Sequence, residues 1–344
     1  MKLDKIFVKN ACPTSTGGQA VLEGIMMKSS KADAVAVRVP DGRIHIRTQK
    51  RTKSGGMAAI PLLRGVYIFM ASLIQGMTIL TYSADVLEAY GGLEETKEEQ
   101  DAFSRWMERR FGKEKSWNIM IGFSVLLAIV FSVLIFVIGP TVLINLLKVI
   151  TTNEIILNVV EGILRITLFI GYIWIISKMP DIQRLFQYHG AEHKTIHCFE
   201  NGLPLTPENC QKFYTLHPRC GTSFLMFVMI IALVLFSLLG WPNLLWRIAS
   251  RILLIPVIAG LSYELLRWAG RSDGLLVKIL SVPGLLLQKM TTAQPDLQQL
   301  EVAIAAMKAV TAEEISEGEG ICDENGIVVE PRTIGGKEKE GKQG

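Results

Sequence analysis

The chain alternates between long apolar runs and polar segments. Residues 117–147, 155–177, 222–241 and 249–268 are each apolar enough and long enough to cross a bilayer. They predict two antiparallel pairs of transmembrane helices, 117–177 and 222–268. The pairs turn through short polar links at 151–154 and 241–243, and Gly139-Pro140 predicts a kink in the first span. Residues 58–84 also read as helix, but Arg64, Gly65, Gln75 and Gly76 interrupt them, so an interfacial or re-entrant helix is expected there. Upstream, valines and isoleucines alternate with polar residues on both sides of Pro40-Asp41-Gly42. That pattern predicts a β-hairpin over 34–48 within a cytoplasmic region 1–57. His45 falls between Ile44 and Ile46, on the side expected to be solvated. Gly17, Gly18 and Gly24 suggest backbone that bends or is closely approached.

The remaining segments are polar. Residues 85–116 are charged and predict a solvated helical excursion, with a basic link at 50–56 before it. Residues 178–221 form a polar segment between the two helix pairs. Residues 269–310 predict an amphipathic continuation in which Asp296 caps a helix with an apolar face of Leu297, Leu300, Ile304 and Met307. The acidic tail, 311–344, is expected to be disordered. The fold class is thus an all-α polytopic membrane protein of about four transmembrane helices, one interfacial helix and a small cytoplasmic β-hairpin.

Composition sharpens this picture. Hydrophobic residues make up 49% and charged residues only 20% of 344, with a mean hydropathy of +0.33. This balance points to a lipid bilayer as the surrounding medium. The net charge of +4 is too small to imply nucleic acid. Lysines and arginines gather in the N-terminal region and in 178–221, which places both, and both termini, on the cytoplasmic side of the inner membrane. The five cysteines suggest reduced thiols, and the N-terminus lacks the apolar stretch of a cleaved signal peptide.

The chemistry collects in 178–221, which holds His189, His193, His197, His217, Cys198, Cys210 and Cys220. Residues 189–193 read H-x-x-E-H, a spacing that puts two imidazoles on one helical face with Glu192 beside them. His189 and His193 stand about 6 Å apart along a helix and His197 about 12 Å from His189, so one ion cannot take all three. Glu264, near the end of the last span, is the first candidate for a third ligand; His217 and Cys220 compete with it. An ion pair of Glu264 with Arg267 is the alternative use of that carboxylate. Glu161 and Arg165, four apart inside a span, read as a structural ion pair.

Several stretches, GGQAVLEGIMMK, YHGAEHKTI, HPRCGTSFL, SYELLRWAGR and PGLLLQKMTTAQPDLQQLEVAI, resemble the bacterial YqhQ family. This is a membrane family built on a domain of unknown function and commonly labelled a predicted metal-dependent enzyme. The resemblance runs over roughly residues 15–310 and implies a metal site at His189, Glu192, His193, His217 and Cys220. The expected function is a metal-dependent hydrolase, a peptidase among the options. Zinc would be held by His189, His193 and Glu264, with Glu192 as general base and Arg219 or Lys194 stabilising developing negative charge. The alternatives are a non-enzymatic scaffold that assists membrane-protein biogenesis or binds the translocon, and an ion transporter using Glu161, Arg165 and Glu264.

Overall fold

The computed structural model describes residues 14, 16–51, 63–92, 106, 109–110, 112–146, 149, 153–239, 243–269 and 274–334. The basic link at 52–56, most of the charged segment before 112, the polar turns at 150–152 and 240–242 and the tail from 335 onward lie outside them, with the expectations placed there. The strands are β1 (Gly17–Val21), β2 (Gly24–Lys28), β3 (Ala32–Arg38), β4 (Ile44–Lys50), β5 (Gly318–Cys322) and β6 (Val328–Pro331). The helices are α1 (Leu63–Ala89), α2 (Lys113–Val133), α3 (Gly139–Leu146), α4 (Glu154–Ile176), α5 (Pro180–Glu200), α6 (Pro207–Gln211), α7 (Thr222–Ser237), α8 (Leu244–Leu253), α9 (Ile255–Ala269), α10 (Leu275–Thr291) and α11 (Leu297–Thr311). Two compact units result, one drawing on Met1–Leu93, Ile173–Val228 and Ala259–Gly344, the other on Glu94–Tyr172 and Met229–Ile258.

The first unit is built on a six-stranded antiparallel sheet in the order β1-β2-β3-β4-β5-β6. The predicted hairpin is its β3–β4 pair, with Arg38 opposite Ile44 and Gly42 turning at a φ of 88°. An all-α fold with one small hairpin is therefore too little sheet. The missed strands have a common cause: both faces of the sheet are covered, so β2 and β3 are apolar nearly throughout instead of alternating. Ile25, Met27, Ala34, Ala36 and Ile46 pack on the side of α5 and α11, where Tyr188, Leu300, Ile304 and Met307 are buried with them. Met26, Val35, Val37 and Ile321 face the opposite way and meet Ile79, Tyr82, Val86 and Leu87 of α1. His45 is accordingly not solvated. It is fully buried, with its ring nitrogens 3.0 Å from the Tyr82 hydroxyl and 3.3 Å from that of Tyr90.

The acidic tail expected to be disordered supplies β5 and β6. Its acidity answers the basic strand beside it: Glu319 lies opposite Arg47, Glu317 accepts the Lys50 N–H at 2.8 Å, and Glu330 pairs with Arg43 at 2.6 Å. The cap predicted at Asp296 is present as a reciprocal box with Gln299, at 2.7 and 3.0 Å. Leu300, Ile304 and Met307 are buried as expected, whereas Leu297 is 48% exposed.

Among the described residues, four helices are long and apolar enough to cross a membrane: Arg64–Ala89, Ile119–Leu146, Glu154–Ile176 and Ile248–Ala269. The set differs from the prediction at two places. The third expected span forms only the 16 residues of α7, about 24 Å of helix against a hydrocarbon core of about 30 Å. Conversely, α1 meets the length criterion, yet its second half is the one that covers the sheet. In the second unit the predicted kink at Gly139-Pro140 takes the form of a π-helical turn, Leu134–Ile138, just before the proline.

Candidate metal centre

Helix α5 begins on Pro180 in its first turn and carries a polar face into the interior. Glu192, His193, Lys194, Thr195 and His197 are all buried. His189 Nδ1 lies 2.8 Å from the Thr291 carbonyl and His193 Nδ1 2.5 Å from the Thr215 carbonyl. A carbonyl only accepts, so each Nδ1 carries a proton and each ring is left to present its Nε2 to the same place, where a metal would take the lone pair. Nε2 of His193 is buried there without a hydrogen-bond partner. Cys220 Sγ stands 3.2 Å from His189 Nε2. One ligand atom from each of His189, His193 and Cys220 falls within 4.8 Å of the others. Zinc bonds of about 2.0–2.3 Å need donors roughly 4 Å apart, so a small side-chain adjustment closes the set.

Glycines and an amide hold these groups in place. A Cβ on Gly190 would sit 2.0 Å from the Ala293 carbonyl oxygen, so the segment carrying Thr291 lies directly on α5. Gln288 is fully buried and hydrogen-bonds the His217 backbone in both directions, at 2.8 and 2.9 Å, fixing the loop that leads to Cys220. The Thr222 N–H and hydroxyl approach Cys220 Sγ at 3.5 and 3.3 Å, at the start of α7. A Cβ on Gly18 of β1 would come within 3.0 Å of the Glu192 carboxyl carbon, so the strand backbone lies directly against that carboxyl. The glycines expected to mark close backbone approach thus include Gly18. The spacing reading did not single out Gly190, Gln288, Thr215 or Thr291. Two of these act through backbone carbonyls, which leave no mark on residue type.

Electrostatics follow the packing. Burial disfavours the Cys220 thiolate, but His193 and His189 outweigh it and hold the thiol well below its usual range. Burial likewise pulls His189 down, and Cys220 with Glu192 lifts it to about 9. Burial pushes the Glu192 carboxyl up, against the pull of His193 and His189. A carboxyl raised above its ordinary range is suited to exchanging protons nearer neutrality.

Of the other expected ligands, Glu264 is not in this group; its two oxygens accept from Arg64 Nε, at 2.6 Å, and Arg64 Nη2. The predicted Arg267 partner is replaced by a residue two hundred positions away, a pairing no local spacing reveals. His217 packs 5.5 Å from His193, ring to ring, but faces Glu200 and Arg219 instead of the three donors. Arg219 pairs with Glu200, and Lys194 donates to the Gln211 carbonyl at 2.8 Å, so both cations expected to stabilise charge are engaged elsewhere. His197, excluded by distance, lies outside the cluster and meets the Leu216 carbonyl at 2.9 Å.

Burial drives His217 down to about 3 and His197 down to about 4, both below an unfolded value of about 6.5. The unfolded chain therefore binds more protons between those values. Stability from these two groups is complete above about pH 6.5 and is lost as pH falls toward 4. Chelator-treated protein is expected to unfold at a lower temperature at pH 5 than at pH 7, and H197Q should flatten that dependence.

Residues 60–313 match the family described as "Protein of unknown function (DUF1385)". A Bacillus subtilis (strain 168) protein, described as uncharacterized protein YqhQ, is 34% identical over 302 residues, covering 86% of this chain and 92% of its own length. No solved structure matches the chain.

Proposed function

The chain belongs to the DUF1385 family, and we propose that it is a membrane-bound, zinc-dependent hydrolase with His189, His193 and Cys220 as ligands. The observation that carries this reading is the buried, unpartnered Nε2 of His193, aimed where His189 and Cys220 also converge. Two imidazoles and a thiolate suit zinc and leave a coordination position open. His189 and Cys220 are partly exposed, whereas His193 and Glu192 are buried. Zinc supplies Lewis acidity toward water and a carbonyl group. Glu192 would accept a proton from the attacking water at its carboxylate, which packs against the backbone of Gly18. The H-x-x-E-H spacing favours a peptide bond as the target.

The membrane reading rests on the four apolar helices and on parity. Strands β1 to β6, α5 and α11 share one compact body and therefore one side of a bilayer. Between β4 and α5 run three membrane-length helices, an odd number. Helix α1, half of which covers the sheet, is the one that stays on the near side, as an interfacial helix; between α5 and α11 the count is again odd, Ile248–Ala269 alone, so the short α7 crosses with it. The basic segments put that side in the cytoplasm.

A second reading rests on the 3.2 Å contact between Cys220 and His189, a thiolate–imidazolium pair in which, without metal, the thiolate would attack and the imidazolium would return its proton to the leaving group. Cobalt loading separates the two. Cobalt(II) protein is expected to show sulfur-to-metal charge-transfer absorption that C220S lacks while still binding cobalt more weakly. If wild type takes up no cobalt, the hydrolase reading falls and the cysteine reading remains.

A further inference from the structure

The second unit buries a charge cluster that the metal centre does not use. Glu161 and Arg165 lie on α4, Thr141 on α3 and Arg251 on α8. Glu161 Oε1 accepts from Arg165 Nη2 at 2.5 Å and from Arg251 Nε at 3.4 Å, and it meets the Thr141 hydroxyl at 2.9 Å. Arg251 Nη2 also donates to Asn158 Oδ1 at 3.1 Å. The ion pair expected between Glu161 and Arg165 is thus present, but a second arginine shares its single carboxylate. Guanidinium groups do not deprotonate in proteins, so among the described residues the cluster holds one positive charge in excess. Arg251 is 1% exposed and the Arg165 side chain 11%.

Two donors remain over. Among the described residues, Arg165 Nε and Arg251 Nη1 are buried with no hydrogen-bond partner. The Phe236 ring faces both guanidiniums, at 5.1 and 4.5 Å, which softens their burial without neutralising it. The π-helical turn adds a third sign of specialisation. Its Val137 carbonyl accepts from Arg165 Nη2 at 3.2 Å, fixing that guanidinium from the far side. Each candidate occupant can be judged by charge. A proton on Glu161 or a metal cation enlarges the excess. Water offers an acceptor but no charge. An anion offers both.

We propose that Arg165 Nε and Arg251 Nη1 bind a small monovalent anion, a halide or a short carboxylate, inside the helices of the second unit. The excess of one charge sets the valence. The shared Glu161 oxygen, which keeps the two guanidiniums together, sets the small size.

The test is thermal unfolding of the full chain in detergent micelles, titrated with sodium chloride or sodium formate and balanced with sodium gluconate at constant ionic strength. The unfolding temperature of wild type is expected to rise saturably by about 3–5 °C in chloride, formate or both, and not in gluconate. A rise in formate alone marks a carboxylate site, and a rise in chloride alone a halide site. Arg251→Gln should lose the rise. Glu161→Gln, which removes the competing carboxylate, should reach half-saturation at about tenfold lower anion concentration. No rise in wild type, or an equal rise in gluconate, overturns the proposal, and so does an Arg251→Gln protein that keeps the rise. Should Arg251→Gln fail to fold, Glu161→Gln decides: half-saturation that is unchanged or weaker also overturns it. None of these arms touches a zinc ligand, so the outcome is independent of the hydrolase reading.

Discussion

Replacing His193 with alanine is expected to abolish stoichiometric zinc, whereas replacing His217, or Glu264 by glutamine, leaves it. His193 is the ligand with no alternative employment. Its Nδ1 is committed to the Thr215 carbonyl and its Nε2 to no hydrogen-bond partner among the described residues. The variant removes a donor and leaves that carbonyl without its partner, so the metal-free protein should also lose about 1–3 kcal/mol. His217 and Glu264 are engaged with Arg219 and Glu200 and with Arg64, respectively, and neither belongs to the converging set. Metal analysis of the four purified proteins after identical zinc loading reads the difference directly. Zinc retained at wild-type level by H193A sinks the ligand set. Zinc lost in E264Q would restore the ligand that spacing first suggested.

That contrast also marks how far the sequence could be read. The helix bearing His189 and His193 and the exclusion of His197 followed from 1.5 Å of rise per residue, and both hold. Cys220 stood among the open choices. Choosing it over Glu264 required knowing that Gln288, some seventy residues away, clamps the loop before Cys220, and that Arg64 takes Glu264. The β3–β4 hairpin was legible because Pro40-Asp41-Gly42 is local turn chemistry. The strands flanking it were not, because β2 lies between two covered faces and β5 begins 268 residues after β4 ends. Acidity in the tail suggested disorder; in the sheet Glu319 stands opposite Arg47 of β4, and Glu330 pairs with Arg43 just before that strand. Length and apolarity found most of the membrane-length helices. The segment expected as an interfacial helix forms α1, whose residues divide between a bare half, with Met70, Leu73 and Ile74 exposed, and a half sunk on the sheet.

Gly190→Ala is expected to destabilise the protein by about 2–4 kcal/mol, although the same change in an open helix stabilises by roughly 0.5–1 kcal/mol. Its Cβ would stand 2.0 Å from the Ala293 carbonyl oxygen and 3.2 Å from Thr215 Cγ2. The first of these is backbone, with no flexible end to swing away. The segment at Ala293 must therefore move, against its own hydrogen bond from the Ala293 N–H to the Phe186 carbonyl at 2.9 Å. Two residues earlier, the same segment presents the Thr291 carbonyl that orients His189. Loss of such an orienting bond typically weakens a metal site by about 10–100-fold, so the variant should lose zinc affinity as well as stability. Gly171→Ala is the matched control: it too is helical, and a Cβ there meets nothing within 4 Å. Thermal unfolding and zinc titration of both variants give the answer. If Gly190→Ala is as stable as Gly171→Ala and binds zinc normally, α5 does not lie against the 291–293 segment, and the orientation of His189 must have another source.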